Sequence, residues 1–415
     1  MSSKSTAAAH SGTIFLSSLL DEERLPFQDP ELIFGRAHYS WKLINQLYEN
    51  GLEMAGYTAR NLARPEIYQA PAAQEVMGLT SHDLHIAVKP IEHLRPFYGL
   101  PNLFVCGWEF PELFRGTPDL SPFFDQQAVL GRADSILCWT DFTRDNLHAA
   151  GLSQAVTLPP PVYPTVPGDE TKVMAMPALF LASDDISELP DVTSFGAAIE
   201  GRTEPVLLAV LNPFDKRKRI DKLLEGARLA REAGYDFLLV VKLVVDGKAT
   251  TIRNISEILH SMYSYHETSE SVLFCAGHLD DASMAALRAR SDFHIGAPSA
   301  EGLNLPLVES ALQDIPIITT HNTAMASYLG AQDAIWIDCS AEAADQSVNA
   351  FAEYANFTHF PATPDAICTA ICAALSLDED ARKALAQRGR KAVEARFGQA
   401  RFETDFNALI QDVLV

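Results

Sequence analysis

The chain contains no long uninterrupted apolar run. Its longest one, Phe237 to Val245, is interrupted by Lys242. Even without that lysine it would be far shorter than the ~20 residues that a membrane-spanning helix needs. The first twelve residues, MSSKSTAAAHSG, also lack the apolar core of a signal peptide. These absences predict a cytoplasmic protein without stable membrane insertion; a position peripheral to the inner face of the membrane stays open.

Basic residues and cysteines are scarce. Lys and Arg number 32 against 54 Asp and Glu, so the formal net charge is −22. Contacts with nucleic acid need clustered cations, and we therefore expect no nucleic acid partner. The six cysteines form no CxxC pair and several lie in apolar runs, which predicts buried free thiols in a reducing compartment. No DxD-like pair of acids is placed for a metal, and we predict none.

The rest of the composition is that of a folded protein. With 415 residues, 47% of them hydrophobic, the chain is long enough for two or three domains with ample cores. Apolar strand-like runs alternate with helical periodicity in both halves, which is typical of α/β domains.

The most informative stretch is 293–320, FHIGAPSAEGLNLPLVESALQDIPIITT. Its pattern predicts a parallel α/β crossover of strand, turn, helix and strand over Phe293–Ala297, Pro298–Asn304, Pro306–Gln313 and Ile315–Thr319. Asn304 is the predicted N-cap of the helix. The amides of Leu303, Asn304 and Leu305 would then point, with the positive end of the helix dipole, at one place. Such a place suits a phosphate group.

Two glutamates accompany this predicted phosphate site. Glu301 lies in the turn before the helix, and Glu309 lies just over one turn inside it. A rise of ~1.5 Å per residue places Glu309 roughly 6–8 Å further along, about the distance from a diphosphate to the ribose of its nucleotide. An acid on a ribose diol is a familiar pairing in nucleotide sites. The alternative interpretation is an ordinary capped helix with two solvated glutamates.

A basic run lies in the same half of the chain. Residues 216–219, KRKR, follow a predicted strand over Val206–Leu211 and precede a predicted helix over Ile220–Gly234. Four adjacent cations repel one another without a counter-anion, and their concentration is informative on so acidic a chain. The run is therefore a candidate anion site at a strand's carboxyl end; the alternative is a solvated basic turn.

Three patterns together resemble one family. The pair Glu301 and Glu309, with seven residues between them in S-x-EGLNLPLVES, resembles the E-x7-E motif of retaining GT-B glycosyltransferases, in particular glycosyltransferase family 4. The run RADSILCWTDFTRDNLHAAGL with VTLPPPV is similar to the last βαβ unit of that family's N-terminal domain. The residues Lys218 to Leu223 resemble its K-G-x-D-x-L pattern, with Arg219 in place of the glycine.

The resemblance implies an α/β protein with the GT-B fold, in which two Rossmann-like parallel-sheet domains face each other across a cleft. The tail RFGQARFETDFNALIQDVL is similar to the family's last helix, which crosses back to the N-terminal domain. The expected segments are a disordered tail at 1–11, an N-terminal acceptor domain at 12–163, and a linker with an acidic insertion at 164–204. A nucleotide-sugar domain at 205–395 and a crossover helix at 396–415 follow.

The implied chemistry is retaining, metal-independent transfer of a hexosyl group. The donor would be a UDP- or GDP-sugar and the acceptor a hydroxyl of a glycan or lipid-linked molecule, as in surface polysaccharide or glycoconjugate biosynthesis. The implied catalytic residues are Lys218 and Glu301. The donor diphosphate would be held by Arg217, Lys218, Leu303, Asn304 and Leu305. The remaining implied sites are the ribose at Glu309, the base at Gly277 and His278, and the acceptor or sugar at His38, Tyr39, Trp108 and Glu109.

The chain departs from the family pattern in two places. The arginine expected upstream of Lys218 is replaced by Asn212 and Pro213, and Arg217 is the candidate substitute because its planar fork binds phosphate in bidentate fashion. The glycine-rich turn after the first strand is replaced by Ser17 to Leu20. Two alternative functions therefore stay open: a catalytically silent GT-B scaffold subunit and a sugar-nucleotide epimerase of the same fold.

Overall fold

The apolar runs of the sequence form the strands of two parallel sheets in a computed structural model of the chain. This structure describes residues 12–18, 37–68, 75, 77–117, 121–168, 170–181, 192–245, 252, 254, 269–343 and 357–414. The predicted tail at 1–11 lies outside the described residues. The described chain divides into two compact units: one comprises the residues up to Val162 together with 395–414, and the other runs from Tyr163 to Glu394.

The first unit is an α/β unit. Its strands are β1 (Thr13–Ser18), β2 (Thr58–Asn61), β3 (Leu84–Val88), β4 (Asn102–Cys106), β5 (Arg115–Thr117), β6 (Ser121–Asp125), β7 (Ser135–Cys138) and β8 (Ala155–Thr157). The helices before Val162 are α1 (Ala37–Met54), α2 (Gln126–Leu130) and α3 (Asp141–Ala149). Among the described residues, six strands form a wholly parallel sheet in the order β2-β1-β3-β4-β7-β8, and β5 pairs with β6 in an antiparallel hairpin.

The second unit contains a larger sheet. Its strands are β9 (Pro177–Leu181), β10 (Thr193–Ser194), β11 (Val206–Leu211), β12 (Leu238–Leu243), β13 (Ser269–Cys275), β14 (Phe293–Gly296), β15 (Ile317–Thr320), β16 (Ile335–Ile337), β17 (Glu342–Ala343) and β18 (Thr358–His359). Over the described part, the sheet order is β10-β9-β13-β12-β11-β14-β15-β16. Strand β9 pairs antiparallel with both β10 and β13, and the pairs from β13 to β16 are parallel. Strands β17 and β18 pair separately.

Helices cover both faces of the second sheet. They are α4 (Thr171–Met174), α5 (Phe195–Ile199), α6 (Ile220–Glu232), α7 (Asp281–Ala289), α8 (Leu305–Leu312), α9 (Thr323–Tyr328), α10 (Pro364–Leu375) and α11 (Glu379–Phe397). Alternate residues of β11 belong to different apolar clusters, with Leu207 and Ala209 in one and Leu208 in the other. Burial on both faces explains why the parallel strands read as continuous apolar runs.

The last helix, α12 (Gln399–Val413), belongs to the first unit. Its Phe402 ring lies 6.1 Å from the Tyr48 ring of α1, and its Phe406 ring lies 5.1 Å from that of Tyr57. The side-chain amide of Gln399 donates to the carbonyl oxygen of Gly51 at 3.0 Å. The predicted return of the C-terminal helix to the N-terminal domain is confirmed.

The segment 164–204 differs from the expected linker and irregular acidic insertion. Its apolar run PALFL forms β9, which pairs with β13 and extends the second sheet. Ala178 and Leu179 are fully buried there. The run PALFL is too short to show the alternating pattern of a strand. The expectation of a linker was based on the many acidic residues that surround it. Residues 182–191 of this segment lie outside the described residues.

None of the helices among the described residues is at once long and apolar enough to cross a membrane.

Candidate functional site

The carboxyl ends of β11 and β14 lie side by side in the second unit, at a point where the chain connections diverge. From β11 the chain passes through α6 to β12 on one side, whereas from β14 it passes through α8 to β15 on the other. Ligand sites in open α/β sheets lie at such topological switch points. The loops that follow these two strands contain the basic run and the first glutamate of the E-x7-E motif.

The two loops are joined by a charged pair. The ammonium group of Lys218 donates to the Oε1 atom of Glu301, and their side chains are 23% and 8% exposed. The backbone amide of Ser299 also donates to the carbonyl oxygen of Arg217 at 2.8 Å. This hydrogen bond is a second link between the two loops. The structure thus brings together both predicted catalytic residues, which are 83 positions apart in the chain.

The basic run has internal counter-anions. Residues Lys216–Lys218 form a turn of 3-10 helix, and the guanidinium of Arg217 pairs with Asp215 at 2.8 Å. Burial acts to raise the pKa of Asp215, but the Arg217 and Lys218 cations outweigh it and hold that pKa below its ordinary value. Arg219 pairs with Asp221, and Lys218 pairs with Glu301. Together with the Arg217–Asp215 pair, these ion pairs neutralise three of the four cations. The charge run by itself is therefore not evidence for a phosphate ligand.

Arg219 has a left-handed backbone, with φ of 48° and ψ of 46°, at the start of α6. Residues with a Cβ adopt this conformation at a cost, and glycine adopts it freely. The conformation explains the glycine in the K-G-x-D-x-L pattern that this chain resembles. Here the arginine side chain is held by Asp221 at 2.9 Å.

The N-terminus of α8 has the predicted N-cap residue but not the predicted capping bond. The helix starts at Leu305, and Asn304 occupies the N-cap position with a left-handed φ of 64°. The expectation that its side chain caps the helix is wrong: it makes no capping bond, and its Nδ2 atom faces the sulfur of Met325 at 3.9 Å. Asparagine tolerates the left-handed region, which explains its place here. Among the described residues, none accepts a hydrogen bond from the amides of residues 303–305.

The segment after β15 holds the Glu301 loop in place. Thr320 Oγ1 donates to the carbonyl oxygen of Pro298 at 2.7 Å, and the Tyr328 hydroxyl donates to that of Leu303 at 2.9 Å. The backbone amide of Glu301 donates to Thr323 Oγ1 at 3.0 Å. Thr323 has a φ of 35°, which is strained for a β-branched residue and typical of functional loops. The sequence showed no sign of this strain.

Glu309 lies inside α8, where it pairs with a residue that the sequence analysis missed. The guanidinium of Arg288 in α7 donates to its Oε2 atom. Burial raises the pKa of the Glu309 carboxyl, Arg288 acts in the opposite direction, and Asp281 acts in the same direction as burial. The only sequence signal for Arg288 was a cation inside the apolar run AALRA.

The predicted base residues follow β13. Gly277 has a φ of 117°, a backbone conformation that requires glycine, and His278 comes next. The carbonyl oxygen of Gly277 accepts a hydrogen bond from the ammonium of Lys242 at 2.7 Å, and the same ammonium donates to Leu243 at 2.9 Å. Lys242 is fully buried. The residue that interrupts the longest apolar run is therefore part of the support for this loop.

Lys242 leads to a prediction on stability and pH. Burial lowers the pKa of Lys242 from 10.5 to about 8, with the Cys275 thiol acting in the opposite direction. Between these two pH values the unfolded chain holds more protons at this residue than the folded chain, so stability rises with pH. Relative to Lys242→Met, the free energy of unfolding of the wild type is expected to rise by roughly 3 kcal/mol across that window. Urea unfolding from pH 7.5 upward measures it.

The control for this prediction is Lys222→Met, which removes a partly exposed lysine. That variant is expected to follow the wild-type pH dependence. Identical pH dependence in the wild type and in Lys242→Met would contradict the assignment, because the Lys242 titration would then contribute nothing to the difference.

The predicted acceptor residues lie in the first unit. His38 and Tyr39 belong to the first turn of α1 rather than to a loop before it. The structure describes the backbone of these two residues but not their side chains. Trp108 is 8% exposed; its indole nitrogen donates to the carbonyl oxygen of Glu112 at 2.7 Å. A large ring that packs beneath a loop explains Trp108, and Glu109 follows it at partial exposure.

Within the part of the chain that the structure describes, no three His, Cys, Asp or Glu side chains are grouped so that they could hold a metal ion.

Neither a protein-family model nor a curated protein sequence matches the chain. Solved structures do. Sucrose-phosphate synthase from Thermosynechococcus elongatus aligns with 97% of this chain over 98% of its own, at 16% identity and a TM-score of 0.58. A glycosyltransferase from Rickettsia africae has the same coverage at 10% identity and a TM-score of 0.56. The chain has the GT-B fold.

A third GT-B structure, TarM from S. aureus, aligns with 80% of this chain at 10% identity and a TM-score of 0.51. The chain spans 56% of the TarM chain. Likeness at these identities establishes the GT-B fold and nothing finer. The fold implied by the E-x7-E resemblance is thus confirmed, while membership of family 4 stays a resemblance.

Proposed function

We propose that the protein is a glycosyltransferase that transfers a hexosyl group from a UDP- or GDP-sugar to a hydroxyl of a glycan or lipid-linked acceptor, with retention of anomeric configuration. The observation that carries this proposal is the Lys218–Glu301 pair at the switch point of a GT-B sheet, next to the unused amides at the start of α8. Among structures of the same fold, the TarM structure contains UDP and alpha-GlcNAc-glycerol.

The difficult step is departure of the nucleoside diphosphate while an oxocarbenium-like sugar develops. Negative charge grows on the leaving phosphate, so donors already aimed at it stabilise the transition state more than the ground state. Lys218 and the amides of Leu303, Asn304 and Leu305 are those donors. The leaving phosphate takes the proton of the attacking hydroxyl on the same face of the sugar, so the reaction needs no protein nucleophile and no metal.

The remaining donor contacts follow from the same geometry. Glu301 accepts hydrogen bonds from hydroxyl groups of the donor sugar, and Glu309 accepts them from the ribose. Gly277 and His278 border the base at the end of β13. Arg217 reaches the diphosphate only if it shares its guanidinium between Asp215 and the phosphate, because Asp215 binds it at 2.8 Å.

The acceptor is assigned to the first unit. His38, Tyr39 and Glu109 are the proposed contacts, at the start of α1 and after β4. Trp108 is assigned to packing. All of these residues lie in the first unit, either in α1 or in the segment that follows β4.

A catalytically silent GT-B scaffold subunit is the second candidate. The observation that favours it is the neutralisation of Lys218 and Arg217 by Glu301 and Asp215, together with Pro213 near the position where the family pattern has an arginine. A scaffold would keep the fold and its charged pairs without binding a donor.

Calorimetry with UDP, GDP and their sugar conjugates separates the two candidates. Binding of one nucleoside diphosphate with a dissociation constant of about 1 mM or tighter, or about −4 kcal/mol, is expected for the enzyme. Absence of binding by all of them would overturn the proposal and leave the scaffold. A screen of sugar nucleotides for released UDP or GDP then identifies the donor.

A further inference from the structure

The Arg288–Glu309 pair is unusual in how unequally its members are exposed. The Arg288 side chain is 4% exposed and the Glu309 side chain 29%. The cation therefore lies beneath the carboxylate, which keeps one edge toward solvent. Desolvating a cation is costly, and the cost is offset here by the pair with Glu309.

The two oxygens of Glu309 have different environments. Oε2 accepts from the Arg288 guanidinium, and no described residue donates a hydrogen bond to Oε1. One oxygen is thus held by Arg288, while the other has no hydrogen-bond donor among the described residues. A carboxylate fixed through one oxygen presents the lone pairs of the second in a defined direction.

Arg288 is itself held by neighbours on α7 and α8. Its Nη1 atom approaches the side-chain oxygen of Gln313 at 3.4 Å, and the Gln313 amide donates to the carbonyl oxygen of Ala285 at 3.3 Å. Beside it, Ser310 bonds His294 of β14 at 3.0 Å. Burial, aided by the Arg288 charge, lowers the pKa of His294 to about 3. His294 is therefore neutral, and among the described residues the charged groups that act on Glu309 are Arg288 and Asp281.

We propose that Arg288 is a positioning residue that holds Glu309 through Oε2 and aims its Oε1 atom at the ribose diol of the donor nucleotide. The inference rests on the proposed function, since it needs a nucleotide at this site. Arg288 does not touch the nucleotide. It acts through Glu309, so its removal should weaken only the part of nucleotide binding that depends on the ribose hydroxyls.

The test compares the better-binding nucleoside diphosphate, UDP or GDP, with its 2′,3′-dideoxy analogue. A hydrogen bond to a charged group contributes enough that the wild type should bind the parent nucleotide roughly tenfold to a hundredfold more tightly than the analogue. In Arg288→Met that ratio is expected to fall to about threefold or less, while the affinity for the dideoxy analogue stays within about twofold of wild type. Arg288→Lys, which keeps the charge, is expected to recover part of the ratio.

A double-mutant cycle with Glu309→Gln distinguishes positioning from a separate contribution. If Arg288 acts through Glu309, adding Arg288→Met to Glu309→Gln lowers the affinity for the parent nucleotide no further. Additive losses would overturn the proposal. Arg290→Met is the matched control, since it removes an arginine two residues away that pairs with Glu170 and leaves the Arg288–Glu309 pair in place; its affinity for the parent nucleotide is expected to equal that of the wild type.

The pH profile gives a second measurement. Without the Arg288 cation the pKa of Glu309 rises further, so in Arg288→Gln nucleotide binding should weaken at a higher pH than in the wild type as the pH is lowered. The variants must unfold at temperatures close to wild type for the comparison. If the wild type binds no nucleotide, the proposed function fails. If it binds nucleotide but the diol ratio persists in Arg288→Met, the inference alone fails.

Discussion

Replacement of Lys218 by methionine is expected to lower turnover of the donor by roughly 10²–10³-fold, the effect of removing one fixed donor from a developing anion. Methionine keeps the length and apolar stem of the side chain but not the charge. The loss should appear in kcat more than in KM, because the charge on the leaving phosphate grows only in the transition state. Release of UDP or GDP from the sugar nucleotide, by transfer or hydrolysis, measures it.

The matched control is Lys216→Met in the same turn of 3-10 helix. It removes the same charge two residues away without breaking the pair with Glu301. Its turnover is expected to stay within about threefold of wild type, since partly exposed charges contribute little at physiological salt. Equal losses in both variants, or more than a tenth of wild-type turnover in Lys218→Met, would contradict the assigned role.

Truncation of Phe406 to alanine is expected to lower the free energy of unfolding of the first unit by about 3–5 kcal/mol. The ring is fully buried, packs edge-on against Tyr57 and lies parallel to Phe402 at 5.5 Å. Its loss leaves a cavity between α12 and the residues that follow α1. Denaturant unfolding measures the change, and amide hydrogen exchange places it.

Hydrogen exchange should show faster exchange in α1 and α12 with little change in the strands of the second sheet. Gln411→Ala on an exposed position of α12 keeps the helix and should alter stability by less than about 0.5 kcal/mol. An equal loss of protection from exchange in both units would contradict the prediction, because it would mean that α12 does not stabilise the first unit selectively.

The elements that the sequence predicted best are those whose signal is local. Strand β11 (Val206–Leu211) has the predicted bounds, because an apolar run between polar turns is a local pattern. The E-x7-E motif likewise placed Glu301 before α8 and Glu309 inside it. The GT-B fold followed from such local patterns taken together.

Contacts between distant residues were not predictable in the same way. Nothing in the sequence around Lys218 indicates that its ammonium is bound by Glu301 across 83 positions. Arg288 looked like one more helix cation, and Lys242 like an interruption of an apolar strand. Their roles depend on which side chains the packed sheet brings together. Backbone conformations such as the left-handed Asn304 and the strained Thr323 depend on the same packing.

The position of α12 has a consequence for the synthesis of the chain. The first unit needs residues 399–413 to cover Tyr48 and Tyr57, yet the ribosome makes residues 163–394 in between. At about 5–20 residues per second that interval lasts roughly 10–50 s. Throughout it the nascent first unit exposes the aromatic face of α1, a surface that chaperones bind. Slow translation of the second unit should therefore lower the yield of folded protein.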